Sequence, residues 1–252
     1  MIGTISYGQI QPPNLIPLFI YTYLGTIWVH EEYHRAVIRN RNVDSYNNVY
    51  DLRLFGDSVS VSRVRDEDLI ALKRKYSHDL IRSHAAGYEG DNQLVSALEK
   101  DEFFLGTSRA ELVGFVSMLN DHFYLRTTAS GEANTITDEF NNDENTITER
   151  DFTGLDFTAW VYDLFRPDED YTIRGIHPSG VGIDRYIKFS DLTEEEIHFL
   201  KRQMDLSLLN FVNRYVLTVK PFKMKFSPLG KEFRLNVRPI HYLRAPLKTE
   251  GF

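Results

Sequence analysis

The chain has 252 residues and a formal net charge of -7, with 42% hydrophobic and 26% charged residues. That length can bury a substantial core in one large domain or two small ones. The acidic balance, with no basic patch, argues against nucleic-acid binding, which needs clustered cations to neutralise phosphates; the absence of cysteine excludes disulfides, thiolate-ligated zinc, iron–sulfur clusters and a thiol nucleophile.

Residues 1–14 read as irregular and lack the basic and apolar segments of a secretory signal. Asn14 can cap a first helix running from about Leu15 to about Ile38, where "NRN" ends it. Its opening run, "LIPLFIYTYLGTIWV", is strongly apolar but has only 15 residues, short of the roughly 20 that cross a bilayer. A buried core helix is the first reading of it, a membrane-dipping helix the second. Val59 and Val61 then alternate with serines, the spacing of a short strand with one buried face. Asp66 opens a second long helix with a stripe at Leu69, Leu72, Leu80 and Ile81. Gly87 and Gly90 lie inside it; since glycine costs up to about 1 kcal/mol in a helix interior, two of them point to close backbone packing or a break.

"RAELVGFVSMLNDHFYL" gives a third helix. The polar, acidic stretch 129–150 has little to bury and reads as a flexible loop between subdomains. From 151 the chain is loop-rich, then helical where Thr193 and Glu196 have capping-box spacing. Two alternating runs about a turn at Ser227–Gly230 form a β-hairpin. The fold class expected is α+β: a mainly helical core at 1–128, the acidic loop at 129–150, and a mixed part at 151–252 packing on the core.

Within the first helix stands His30-Glu31-Glu32-Tyr33-His34, an H-E-x-x-H sequence. Residues i and i+4 share a helix face, so His30 and His34 aim two imidazoles at one point, the bite a tetrahedral metal needs. Glu31 projects beside that face and can reach a metal-bound water without taking a ligand position. Glu32 and Arg35, at i and i+3, are placed to pair on a solvated flank. The apolar run before the motif implies burial, and burying such groups without purpose would cost several kcal/mol.

This helix resembles those of the H-E-x-x-H zinc metallopeptidases, the zincins, over about 20 residues. The resemblance implies Zn2+ held by His30 and His34, with Glu31 as general base. The metzincin extension is absent, Val37 and Asn40 standing at its positions, and no "LDG"-like stretch supplies the aspartate used by intramembrane, site-2 proteases. The gluzincin pattern takes a glutamate from a following helix. Glu89, flanked by Ala85, Ala86, Gly87 and Gly90, best fits it. His84 is the alternative ligand, and Arg82, His84 or Asp91 could orient a ligand from behind. A donor for the developing oxyanion is sought in "RGIHPSGVGIDRY", at Arg174, His177, Arg185 or Tyr186, with His177 at a cleft edge.

Nucleotide-binding glycine loops, a nucleophilic serine elbow and EF-hand spacing are missing. The function expected is a zinc-dependent hydrolase, a metallopeptidase of gluzincin type acting on a peptide or protein substrate. The alternative is a non-catalytic, envelope-associated binding or scaffold protein whose H-E-x-x-H helix is structural or vestigial. The apolar first helix favours membrane or envelope association over a cytoplasmic location; the oligomeric state is open.

Overall fold

The computed structural model describes residues 15–51, 59–105, 110–143, 146–212, 222–226, 231–235 and 239–243. The architecture is α+β and mainly helical, with two small antiparallel two-stranded sheets. Among the described residues six α-helices follow in order: α1 (Leu15–Arg39), α2 (Asp66–Leu105), α3 (Ala110–Thr128), α4 (Glu132–Asp143), α5 (Asp156–Phe165) and α6 (Glu194–Ser207). Strand β1 (Tyr46–Asn47) pairs with β2 (Val61–Ser62), and β3 (Phe222–Phe226) pairs with β4 (Lys231–Leu235) in a register that sets Phe222 opposite Leu235 and Phe226 opposite Lys231. The turn expected between β3 and β4 and the cap expected at Asn14 lie outside the described residues.

Helix α1 packs along α2, and the two glycines of α2 are where it does so. A Cβ on Gly90 would stand 2.7 Å from the Tyr33 ring, and one on Gly87 would fall 2.2 Å from His30. Close packing, and not a break, is the reason for both. The bend in α2 is elsewhere, at Tyr76, whose φ of -141° and ψ of 47° are not helical.

Two apolar clusters hold the helices. One joins Ile81, Ala85 and Tyr88 of α2, Leu125 of α3, Phe157 and Trp160 of α5 and Leu200 of α6. The other joins Ile38 of α1, Val61 of β2, Leu69, Leu72 and Leu80 of α2, and Phe152. Residues from both sides of 129–150 thus share the same core. At α6 the anticipated capping box is formed: Thr193 accepts the Glu196 N–H, and Glu196 accepts that of Thr193 at 2.8 Å.

The acidic stretch is not simply a loop. Most of it is α4, which buries Ala133, Thr137 and Asn141 at every fourth position. Phe140 meets the Tyr186 ring, and Asp138 pairs with Lys188 at 2.6 Å. Glu132, Asp138 and Glu139 lie on the exposed face, so a low apolar content still supplied the narrow stripe that one side requires. Likewise "DFTAWVYDLF", read as part of a loop-rich stretch, is α5, which is buried along most of its length.

Candidate functional site

The H-E-x-x-H residues lie in the second half of α1, where it crosses α2 and meets the first residue of α5. His30 and His34 turn towards α2, their rings 4.9 Å apart. Each is fixed by its Nδ1. His30 Nδ1 donates to Asp91 at 2.7 Å, and His34 Nδ1 donates to the Ser83 carbonyl at 2.5 Å. A carbonyl can only accept, so this bond sets the His34 tautomer and leaves Nε2 its lone pair in the neutral ring. Nδ1 held by a carboxylate or carbonyl is the usual support behind a metal-ligating histidine.

Both Nε2 atoms converge on Asp156 Oδ2, at 3.2 Å from His30 and 3.3 Å from His34. Asp156 is 5% exposed and His34 1%. Yet His34 Nε2 has no hydrogen-bond partner. Among the described residues, His30, His34 and Asp156 form a group able to hold a metal ion, their ligand atoms within 4.8 Å of one another. The remaining wall is Gly87, whose missing side chain would strike both Nε2 atoms, 2.2 Å from that of His30 and 2.4 Å from that of His34. The donor set, the orphaned nitrogen and the glycine cradle all fit a divalent ion with two imidazoles and one carboxylate.

The electrostatics reflect four acids crowded around two imidazoles. Burial disfavours a charged His30, but Asp91, Asp156 and Glu31 outweigh it and raise His30 well above its usual value. Burial would raise Asp156, but the charge of His34 and the hydrogen bond of His30 hold it below the usual carboxylate range. Its place in the first turn of α5 also suits an anion. Glu31 is partly buried and pushed up to about 8, by burial first and then by Asp156 and Asp91, with His30 opposing. Behind His30, burial and the Asp91 charge raise Asp121 well above the ordinary range. On the α3 side, Tyr124 accepts the Asp156 N–H at 3.0 Å, its ring 6.5 Å from that of His30.

The third member of the group is therefore Asp156, and Glu89 is not in it. Glu89 pairs instead with Arg82, at 2.9 and 3.1 Å. Helical geometry explains the difference. Gly87 faces the histidines, Asp91 one turn on shares that face, and Glu89 is about 200° round the helix from Gly87. The small residues that drew attention to Glu89 mark a face on which it does not lie. Asp156 does not fit the "LDG" pattern, because Leu155-Asp156 is followed by Phe157, and the glycine, Gly154, comes two residues earlier with φ +73°. An aspartate opening an apolar helix was the signal available.

His84 is no ligand of this group either. Its Nε2 donates to Asp163 at 2.8 Å and its Nδ1 accepts from Thr153 at 2.6 Å. Burial lowers it towards the neutral form that this pattern requires. Arg82 is committed to Glu89 and orients neither histidine, whereas Asp91 takes that role. Glu32 and Arg35 pair as anticipated. His177 is buried in its own loop, Nδ1 accepting from the Ser179 N–H at 3.1 Å, and none of its hydrogen bonds involves the His30–His34–Asp156 group. Arg174 donates to Asp163 and to the Arg185 carbonyl, and Arg185 to Asp66 and the Val64 carbonyl. Tyr186 lies under Gly154. Arg174 is thereby tied to α5 and Arg185 to the first residue of α2. Among the described residues no helix is long and apolar enough to cross a membrane. Comparison of the chain with protein families, with curated proteins and with solved structures returns no match.

Proposed function

We propose that this protein is a zinc-dependent hydrolase of the metallopeptidase type, with His30, His34 and Asp156 as the metal ligands and Glu31 as general base. The observation that carries the reading is the convergence of two supported Nε2 atoms and one buried carboxylate beside a glutamate that is not among them. Three protein ligands with a position left for water is the composition of a catalytic zinc site. Bound zinc supplies Lewis acidity and lowers the pKa of a water molecule to about 7.

The chain's own residues do the rest. Asp91 and the Ser83 carbonyl hold the imidazoles in the tautomer that presents Nε2. Glu31 takes the proton of the attacking water and passes it to the leaving amine as the scissile bond breaks. A bound dication would lower the Glu31 carboxyl from about 8 towards a base active near neutral pH. A set of two histidines and one carboxylate also suits iron(II). Glu31, poised for proton transfer, is what favours hydrolysis.

Glu31→Gln is predicted to keep stoichiometric zinc and to lose about 10²- to 10⁴-fold in kcat on a fluorogenic peptide mixture. Turnover undiminished in Glu31→Gln would remove the assigned base. Iron in place of zinc in purified, untagged protein would redirect the reading to redox chemistry.

A further inference from the structure

Attack on a carbonyl builds negative charge on its oxygen, and a hydrolase needs a fixed donor there. The donors foreseen in residues 174–186 are committed elsewhere: Arg174 to Asp163, Arg185 to Asp66, and His177 to the Ser179 turn. Among the described residues, one hydroxyl is hydrogen-bonded to a residue of the group, that of Tyr124 to the Asp156 N–H. Tyr124, on α3, comes within 6.5 Å of His30 ring to ring and rests against Phe157 at 4.9 Å. Its Oη accepts the Asp156 N–H. An oxygen that accepts on one side still carries its own hydrogen, and a phenol is protonated at neutral pH. The same N–H bond ties the hydroxyl to the residue that completes the metal-binding group, so donor and group keep a fixed spacing.

We propose that Tyr124 is a further catalytic residue: its hydroxyl donates a hydrogen bond to the substrate oxygen on which negative charge develops. This rests on the hydrolase reading above. The phenol keeps its proton throughout, so no further group is needed to balance the step. The substrate class it serves is one whose reacting centre becomes an oxyanion, as an amide or ester carbonyl does.

The test compares the zinc-loaded full chain with Tyr124→Phe, which keeps the ring that packs on Phe157. Three affinities are measured: zinc against a chromophoric chelator, acetohydroxamate as an oxyanion probe, and imidazole as a neutral probe without oxygen. A bond to a charged oxygen is worth roughly 10- to 100-fold, and acetohydroxamate should weaken by that factor. Zinc and imidazole affinities should stay within about threefold, since Tyr124→Phe removes no ligand atom and only the acceptor of the Asp156 N–H. On peptide substrate, kcat should fall about 10²-fold with KM little changed. Equal acetohydroxamate affinity in the two proteins would overturn the assignment, as would a parallel loss for all three ligands, which marks a merely structural role. If the wild-type chain itself binds no zinc, the hydrolase reading fails and takes this inference with it.

Discussion

Gly87→Ala is expected to abolish metal binding while leaving the chain folded. The added methyl would lie 2.2 Å from His30 Nε2 and 2.4 Å from His34 Nε2, the two atoms that face Asp156. Neither ring can simply swing aside, because Asp91 holds one by its Nδ1 and the Ser83 carbonyl holds the other. Displacing a ring breaks one of those buried bonds. The effect on folding is smaller, because overpacking costs about 1–3 kcal/mol while alanine regains about 1 kcal/mol of helix propensity over glycine. Zinc affinity should drop by more than the roughly 10- to 100-fold typical of losing an outer partner, with the helical circular dichroism of the metal-free protein preserved. Wild-type zinc affinity in Gly87→Ala would show that the metal, if bound, sits elsewhere.

The second large effect is on stability and lies one layer behind the site. Asp163 of α5 receives Lys73 at 2.9 Å, Arg174 at 2.8 Å and His84 at 2.8 Å, and all four side chains are almost wholly buried. Removing the shared acid strands two cations away from water, and breaking a buried pair in this way costs about 3–5 kcal/mol. Asp163→Ala should lose that much in urea denaturation at pH 7. A pH dependence accompanies it. Burial would raise the Asp163 carboxyl, but Arg174, His84 and Lys73 reverse this and hold it far below the ordinary range. The folded protein therefore binds this proton less readily than the unfolded chain, whose aspartates titrate near 3.9. The stabilisation is complete above that value and is lost as the pH falls below it. Wild type should lose stability between about pH 5 and pH 2 more steeply than Asp163→Ala. Parallel curves, or a loss below about 1 kcal/mol at pH 7, would contradict this role.

Much of the scaffold was legible in the sequence because local patterns are enough to specify it. The α1 and α2 helices, the capping box at Thr193 and the terminal hairpin each follow from periodicity and turn chemistry within a few residues. The histidine pair was legible for the same reason, since His30 and His34 are one helical turn apart. Asp156 was not, because it lies 122 residues from His34 and joins it only through the packing of α1 and α5 on the same helix, α2. Glycine spacing in α2 did announce a close helix contact. What it could not announce alone was which face the contact used, and that decides between Asp91, which supports His30, and Glu89, which turns to Arg82. Helix α4 was missed for a related reason: twelve residues with three buried positions look polar by composition and amphipathic only when read at a period of four.

Asp156, and not Glu89, is proposed to complete a metal group with His30 and His34. The most direct measurement is the zinc content of untagged protein, grown with added zinc, for the wild type, Asp156→Asn and Glu89→Gln. The wild type and Glu89→Gln should each carry about one equivalent, and Asp156→Asn less than about a tenth. A wild type that holds less than about a tenth of an equivalent, or a Glu89→Gln that is empty while Asp156→Asn is loaded, would contradict the account.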